Sequence, residues 1–560
     1  MRKFWLIVLF LNPSTFFFAH CQTTYLPLGI EDYHILDRLE TKSGQLTNNF
    51  FTTVKPISRE AAANFLQCQL LDSGGHYSLI DDYNAKRIIS INGEWVVDSA
   101  YTTSTKRPLF KRFYRNQSDF VNINNENFYL VVNPVLNIQT LHERTSYSRQ
   151  NQFLNTRGIE MRGRISKKIG FYTLVTENQE ETPLFYSQWV SNHRALPGVD
   201  FFTSVGNGYD YMLAKGYVNF DILRDHLNIT FGYDTHFIGD GIRSLLLSDF
   251  SAGYTFLKIN SQYGRLNYQK IILELTSQFY NRGMGDRLRQ KYATIHLINF
   301  NVSNRVNIGL FESTVFRREN LFGMGQLVPV IYYQATKNGL NGNDNVNIGL
   351  TFKAIASTKI QLYSQLLVDN FNATSFIKTS PRVDTKVGYQ IGGKIFSIAG
   401  IPTLDANFEI NVVRPYTYSD VDSIGEYSHY NQPLAHPLEA NFAEFLCTVQ
   451  YQPKEKIRLT LESMFYKKGE DSLGINTGGD LFSDNRIRTV TDDANLFDGV
   501  KVIGISAQLN VTYEFRHNLF FDAGLGKRVF RIENGSDATT NIIYFGIRMN
   551  VARRKYIPTF

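Results

Sequence analysis

The sequence lacks any internal apolar run long enough to cross a membrane as a helix. Beyond the N-terminus, no stretch of the 560-residue chain approaches the roughly 18 consecutive apolar residues that a spanning helix requires. Any membrane crossing by the rest of this chain must therefore be made by β-strands.

Cysteine and excess charge are also scarce. The chain has three cysteines, Cys21, Cys68 and Cys447, which are too few and too far apart to form a disulfide framework. Lys and Arg total 58 against 51 Asp and Glu, a formal net charge of +7, and the basic residues are dispersed along the chain. This charge balance gives no support for nucleic-acid binding.

The N-terminus has the pattern of a secretory signal peptide. Arg2 and Lys3 precede an apolar stretch over residues 4–18, and the small-x-small ending at residues 19–21 (AHC) predicts cleavage before Gln22. The residues before the cysteine of this ending make a poor lipobox, so we expect a cleaved peptide and no lipid anchor. An Asn-Pro pair interrupts the apolar stretch, which disfavours an uncleaved spanning helix.

Aromatic residues are abundant, with 43 Phe and 32 Tyr, and segments of about ten residues alternate in polarity. Successive side chains of a strand point to opposite faces, so such segments have one apolar and one polar face. Together with the export signal, these segments predict an all-β transmembrane barrel with aromatic girdles and a polar lumen. In the last segment every second residue is apolar and is predicted to face lipid: Ile543, Phe545, Ile547, Met549 and Val551.

The number of alternating segments is about eighteen, an even number as in bacterial single-chain barrels. Short turns at residues 303–304 and 516–517 are expected to face the periplasm, and long loops at residues 179–210, 413–441 and 467–501 to be extracellular or folded into the lumen. The predicted strands begin near Asn127, Phe153, Lys168, Tyr211, Asp225, Tyr254, Gly264, Gln290, Asn304, Asp344, Thr358, Asp384, Leu404, Phe442, Lys456, Ile503, Asn518 and Asn541.

The region before the first strand has a helical period. Tyr33, Leu36 and Leu39 lie at helical spacing, Ser58 is placed to cap a second helix, and residues 78–91 predict a third. We interpret this region as a cap or plug for the barrel, with a separate binding module as the alternative.

The chain is therefore divided into three parts. Residues 1–21 form the predicted signal peptide, residues 22–122 a mainly helical periplasmic region, and residues 123–560 the outer-membrane β-barrel.

The densest motif occupies residues 231–249 (FGYDTHFIGDGIRSLLLSD). Its glycines allow close approach of the backbone or positive φ. We interpret its polar side chains as a cluster in the lumen, with polysaccharide contact, metal binding and catalysis as the alternatives. The members of this cluster are Tyr233, Asp234, His236, Asp240 and Arg243.

Residues 413–441 (VRPYTYSDVDSIGEYSHYNQPLAHPLEAN) form the second motif. Aromatic rings can stack against the C–H-rich faces of sugars, and amide or guanidinium groups can pair with sugar hydroxyls. His429 and His436 lack further ligands at metal-site spacing. An ordered lumen-filling loop without a ligand is the alternative. The candidate polysaccharide-binding residues are Arg414, Tyr416, Tyr418, Tyr427, His429, Tyr430, Asn431 and Gln432.

Four stretches carry a family resemblance. They are residues 25–44 (YLPLGIEDYHILDRLETKSG), 176–190 (TENQEETPLFYSQWV), 232–251 (GYDTHFIGDGIRSLLLSDFS) and 413–444, which contains VRPYTYSD and HYNQPLAHPLEANFAE. These stretches resemble the Wzi-type capsule assembly family of outer-membrane barrels, in the form found in Bacteroidota, over nearly the whole mature chain.

This resemblance implies an eighteen-stranded barrel, a helical bundle at its periplasmic mouth, and a lectin-like role in holding polysaccharide at the cell surface. Ile238 stands where the enterobacterial members carry an aromatic residue. The resemblance therefore does not extend to a sugar contact at that position.

Catalytic signatures are absent from the sequence: it has no Gly-x-Ser-x-Gly elbow, His-Glu-x-x-His, Walker loop or Rossmann fingerprint. We predict a non-enzymatic protein without a cofactor, located in the outer membrane and in contact with its lipid and with capsular or exopolysaccharide. A porin-like solute channel and a structural component of a gliding or secretion machine are the alternatives.

Overall fold

The structure is a computed structural model. The predicted signal peptide with its cleavage site, and the predicted strand starts Asp225 and Asp384, lie outside the residues that it describes. The described residues are 24–71, 77–96, 105, 109–110, 112–146, 148–166, 168–223, 226–279, 288–317, 322–333, 344–369, 386–472, 474–485 and 494–559.

Eighteen antiparallel strands follow one another in sequence order around a closed barrel. The last strand pairs with the first, which closes the barrel and confirms the predicted fold class. The strands are β1 (Phe128–Thr145), β2 (Arg149–Ile165), β3 (Ile169–Glu180), β4 (Gly208–Leu223), β5 (Leu227–Asp234), β6 (Tyr254–Tyr263), β7 (Leu266–Thr276), β8 (Gln290–Asn301), β9 (Val306–Phe316), β10 (Asn345–Ser357), β11 (Ile360–Asp369), β12 (Lys386–Ile395), β13 (Leu404–Val413), β14 (Phe442–Lys454), β15 (Ile457–Glu470), β16 (Val500–Arg516), β17 (Leu519–Ile532) and β18 (Ala538–Met549).

The outer face of the barrel is an apolar belt. On β18, Ile543 is 50% exposed and Phe545 54%, whereas Tyr544 between them is 3% exposed and faces the lumen. The same alternation recurs around the wall, as in a barrel whose lipid-facing and lumen-facing residues alternate along each strand. The prediction for Val551 is wrong, because β18 ends at Met549 and Val551 lines a cavity in the lumen.

In the described part of the chain before the barrel, three α-helices form where their periodicity predicted them. A capping box between Ser78 and Asp81 starts the third helix, and Gly44, with φ of +74°, caps the first through its N–H group. The helices are α1 (Asp32–Ser43), α2 (Arg59–Leu71) and α3 (Leu79–Ile91).

Buried ion pairs hold this helical bundle against the short-turn end of the barrel. Lys394 at the end of β12 places its Nζ 2.7 Å from Asp37 Oδ2. Arg38 Nε lies 2.6 Å from Asp81 Oδ1 of α3, and the same guanidinium pairs with Asp405 of β13. Removal of one partner of a buried pair costs about 3–5 kcal/mol, so the bundle is firmly fixed to the wall.

The remaining elements are short, and two of them, Val121–Asn124 and Thr203–Val205, pair with β1 and β4 of the barrel sheet. Among the described residues, no helix is long and apolar enough to span a membrane. The short elements are the helix α4 (Leu184–His193), the 3-10 helices Gly93–Trp95, Met324–Leu327 and Ile398–Gly400, and the strands Val54–Lys55, Val121–Asn124, Thr203–Val205, Phe237–Ile238, Ser428–His429 and Gln432–Pro433.

The two largest apolar cores among the described residues lie in different parts of the molecule. One lies among α1, α2 and α3. The other lies inside the barrel, where Leu245, Leu246 and Leu434 from two long loops pack with Phe311 of the wall and are completely buried. The barrel therefore encloses folded chain.

We predict that Phe545→Arg impairs barrel assembly. A cation on the lipid-facing side of a strand costs about 2–4 kcal/mol near the bilayer midplane. Heat-modifiable gel migration measures assembly, and Ser536→Arg, which places the same charge at the exposed tip between β17 and β18, serves as the control. Equal assembly of the two variants would contradict a lipid-facing Phe545.

Candidate functional site

The loop between β5 and β6, residues 235–253, enters the lumen and pairs with the N-terminal region. Its short strand Phe237–Ile238 forms an antiparallel pair with Val54–Lys55. Gly239 extends the contact by donating its N–H to Thr53 O at 2.7 Å. The N-terminal region therefore meets this loop inside the barrel.

Two inward side chains of the wall satisfy the backbone of this loop. Gln365 on β11 accepts a hydrogen bond from Leu245 N at 2.8 Å, and Glu409 on β13 accepts one from Ile242 N at 2.6 Å. Glycine suits both positions, because Gly239 has φ of +147° and a Cβ atom at Gly241 would lie 2.9 Å from the backbone oxygen of Arg243. The glycines of the first motif thus allow the loop to dock against the wall.

The predicted polar cluster has separate partners. Asp240 is buried and accepts hydrogen bonds from Thr52 Oγ1 at 2.6 Å and Thr53 Oγ1 at 2.7 Å. Arg243 Nε lies 3.8 Å from Glu444 Oε1 of β14. Both residues therefore fix the loop to its surroundings.

The other three members of that cluster also lie apart. Asp234 pairs with Lys215 at 2.8 Å, whereas Tyr233 lies on the opposite face of β5 and donates its hydroxyl to Asp200 at 2.9 Å. His236 is buried, and this burial lowers its pKa well below the usual value. The five side chains therefore do not contact one another as a single cluster, although Asp234, Asp240 and Arg243 line one cavity in the lumen.

The second predicted motif, the loop between β13 and β14, packs onto the first. Tyr418 and Tyr427 donate their hydroxyls to the carbonyl oxygens of Leu245 and Leu246, at 2.8 and 2.7 Å. Ser248 N donates to Leu434 O at 2.8 Å. Because each buried phenol finds an acceptor, these tyrosines serve as apolar filling with one satisfied polar group.

A β-hairpin in this loop, Ser428–His429 paired with Gln432–Pro433, is anchored on all sides. Asn431 donates to Phe279 O at 2.8 Å, and Gln432 donates to Val199 O at 2.9 Å. His429 accepts from Thr276 N at 2.9 Å through Nδ1, and its Nε2 lies 2.8 Å from a carbonyl oxygen. These polar groups are engaged within the protein.

Burial separates the eight candidate sugar-binding residues into two groups. Arg414 and Tyr430 are half-buried, and Arg414 donates to Ala494 O at 3.1 Å. The geometry favours the lumen-filling alternative for the other six, which are buried: Tyr416, Tyr418, Tyr427, His429, Asn431 and Gln432.

An aromatic group surrounds Tyr430 at the long-loop end of the barrel. The ring centroid of Tyr430 lies 5.7 Å from that of Phe201 and 6.0 Å from that of Phe279, both in edge-on contact. Phe201 is exposed and Phe279 half-buried. Phe201, Phe279 and Tyr430 are called the aromatic rim below; sequence reasoning missed two of its members because they lie on different loops.

The C-terminal segment, residues 550–559, also runs inside the lumen. Arg554 Nε lies 3.0 Å from Glu180 Oε1, and Lys555 Nζ lies 2.6 Å from Glu462 Oε1. Near the end of the segment, Thr559 O accepts the Tyr466 hydroxyl at 3.1 Å. The basic run at residues 553–555, directly after the last strand, is the sequence signal that could have indicated this path.

A cavity of about 790 Å³ remains between the N-terminal region and the C-terminal segment. Charged side chains of both signs line the cavity, and the cations include Arg243, Arg528 and Arg548. Among the described residues, no group of three or more His, Cys, Asp or Glu side chains is arranged to hold a metal ion.

No family model matches the sequence, and no curated protein matches it. Among solved structures, the chain is similar to Wzi of Escherichia coli, described as a carbohydrate-binding β-barrel of the outer membrane involved in group 1 capsule assembly. The two are 12% identical with a TM-score of 0.55, covering 96% of this chain and 100% of that chain.

Two other solved structures share less of the chain. OprD of Pseudomonas aeruginosa is 9% identical with a TM-score of 0.40, covering 75% of this chain and 95% of that one. OccAB4 of Acinetobacter baumannii is 8% identical with a TM-score of 0.42, covering 76% and 98%. The likeness to Wzi establishes the fold, which is that of an outer-membrane β-barrel.

We predict that acid loosens the hairpin through His429. Burial lowers the pKa of this ring to about 3, and the Lys291 ammonium adds to the effect. In a released loop, His429 would have its ordinary pKa near 6.5 and would bind a proton more readily than in the folded hairpin. The free energy by which neutral His429 favours the folded hairpin is therefore fully present above pH 6.5 and is lost as the pH falls toward 3. It amounts to on the order of 3 kcal/mol between pH 6.5 and pH 4.

Limited proteolysis of the reconstituted protein at pH 7 and pH 4.5 measures this loosening. His429→Gln should be less sensitive to pH than the parent. His226→Gln, which changes an exposed histidine at the short-turn end, should respond as the parent does. The same pH response in all three proteins would refute the role of His429.

We also predict that truncation after Asn550 opens the lumen. Three cations of the C-terminal segment pair with acidic side chains of the wall, and the backbone carbonyl of Thr559 accepts a hydrogen bond from the wall. Removal of the segment therefore leaves a wider path through the lumen. Planar-bilayer recordings should show little current from the intact protein and a clear increase after truncation. Unchanged conductance in a normally assembled truncated barrel would count against this role.

Proposed function

We propose that this protein is a non-catalytic barrel of the bacterial outer membrane that holds capsular or exopolysaccharide at the cell surface, as a Wzi-type protein of the Bacteroidota branch. In this proposal the helical bundle lies in the periplasm and the long loops face outward. The position of α1, α2 and α3 at the short-turn end supports this orientation, because short turns are periplasmic in such barrels.

The observation that carries the proposal is a filled lumen beneath a partly exposed aromatic rim. The N-terminal region, two long loops and the C-terminal segment occupy the interior. Phe201, Phe279 and Tyr430 remain together at the surface of the long-loop end. Such a surface suits stacking against the apolar faces of sugar rings.

The backbone of Tyr430 adds support. Its φ is +52°, in the left-handed region, which costs a non-glycine residue about 1–2 kcal/mol. The anchors of Asn431 and Gln432 hold the turn in this conformation. The turn thereby holds the Tyr430 ring at the rim.

The carbohydrate-binding description of Wzi, whose fold this chain shares over nearly its whole length, is consistent with the same class of ligand. A porin-like channel is less favoured because so much chain lies in the lumen. Stable porin-sized conductance from the intact protein would restore that alternative.

We predict that the double variant Phe201→Ala and Tyr430→Asn releases polysaccharide into the medium while the barrel assembles normally. Asn tolerates the left-handed turn, so the change removes the ring without adding backbone strain. Sugar contacts repeated along a polymer act together, so we expect partial release from each single variant and greater release from both.

The measurement compares cell-associated and released polysaccharide in cells that produce each protein. Tyr389→Ala, which removes an exposed ring from the membrane-facing side of β12, is the matched control and should retain polysaccharide. Full retention by the assembled double variant would overturn the assignment of the rim.

A further inference from the structure

Three charged or titratable side chains lie in a row on the outer wall of the barrel. Lys270 of β7, His296 of β8 and Glu312 of β9 are direct neighbours in the strand ladder. They share a strand face with Phe300 and Ile308, which are exposed in the apolar belt. The row therefore points away from the lumen.

These outer side chains are nevertheless buried: Lys270 is 1% exposed, His296 2% and Glu312 0%. An uncovered lysine facing lipid would cost up to about 2–4 kcal/mol, and the other two polar groups would also lose their hydration. Some part of the chain must cover them on the outside.

Residues 322–333, called the outer strap, provide this cover. Lys270 Nζ donates to Val328 O at 2.8 Å, and Tyr332 N donates to Glu312 Oε2 at 2.6 Å. Tyr268, also on the outer face of β7, places its hydroxyl 3.0 Å from Pro329 O. The backbone of the strap thus satisfies the polar groups of the wall.

The Tyr268 hydroxyl also lies 3.0 Å from His296 Nδ1, so the third member of the row has a partner too. At the other end of the strap, the ring of Phe322 packs edge-on against Tyr292 of β8 at 5.8 Å. The strap is therefore in contact with the wall along its length.

The face of the strap that points away from the wall is apolar. Its sequence, FGMGQLVPVIYY, contains no charged residue. Met324 is 78% exposed, and Gln326 is buried against the wall. The other exposed side chains of this face are Leu327, Val330 and Tyr333.

We propose that the outer strap is a membrane-interaction surface whose apolar face contacts the acyl chains of the outer membrane. The strap adjoins the lipid-facing belt, since Leu310 and Leu350 form the neighbouring outward pair, and Leu350 is exposed. In water, this uncharged segment would expose a large apolar area. Contact with lipid removes that cost.

This surface is independent of the polysaccharide function proposed above. It assigns residues 322–333 a place on the outside of the wall, in contrast to the long loops that fill the lumen. The strap covers the charged residues of the wall, and its own uncharged outer face is suited to contact with hydrocarbon.

Fluorescence quenching by lipid tests the proposal. Met324→Trp is reconstituted in phosphatidylcholine vesicles with or without bromine atoms on the acyl chains, and the emission of the parent is subtracted. Ile543→Trp, on the lipid-facing side of β18, is the positive control, and Ser536→Trp, at the exposed β17–β18 tip, is the negative control.

We expect brominated chains to quench Met324→Trp to a fractional extent close to that of Ile543→Trp. Quenching no greater than that of Ser536→Trp would overturn the proposal, because the strap would then lie in water. Weak quenching with crosslinking between two copies would overturn it equally, since a second copy would cover the strap. If Met324→Trp fails to assemble, Val330→Trp supplies the same measurement from the same face.

Discussion

The structure depends on hydrogen bonds between inward side chains of the wall and the backbone of the lumen loops. A loop enclosed in a barrel cannot leave its N–H and C=O groups unpaired without a substantial cost. Gln365 and Glu409 meet this requirement for residues 238–245, and the loop in turn supplies carbonyl acceptors for Tyr418 and Tyr427. Docking of the first loop thus permits docking of the second.

These contacts explain why side chains that are suited to sugar binding can instead fill the lumen of a barrel. Tyrosine, asparagine and glutamine suit a polysaccharide because each combines a flat group with hydrogen-bonding atoms. The same combination suits a crowded lumen in which apolar filling and backbone partners are both needed. Composition of the loop between β13 and β14 does not distinguish the two uses, whereas the contacts of Asn431 and Gln432 do.

On the outer wall, which faces lipid, buried polar groups also need hydrogen-bond partners. Inside the barrel, loops cover apolar side chains of the wall and pair some of its polar ones, among them Gln365 and Glu409. Outside, the strap pairs Lys270 and Glu312 through its own backbone and leaves apolar side chains on its far face. In both places the polar groups of the wall are matched by chain from a long loop, which allows a strand to carry charge on either face.

The sequence by itself determined the elements whose signal is local. The period-2 pattern of Ile543, Tyr544 and Phe545 predicted a strand and its two faces, and the spacing of Leu36 and Leu39 predicted a helix, because backbone geometry fixes both periods. The number of strands followed in the same way.

Only the tertiary structure decided what covers each face. Val551 continues the alternation of β18, yet the chain turns into the lumen after Met549, and Lys270 lies on an outer face beneath a strap about sixty residues later. The aromatic rim joins Phe201, Phe279 and Tyr430 from three separate loops. Such contacts arise from barrel closure, which brings distant residues together and leaves no periodic trace in the sequence.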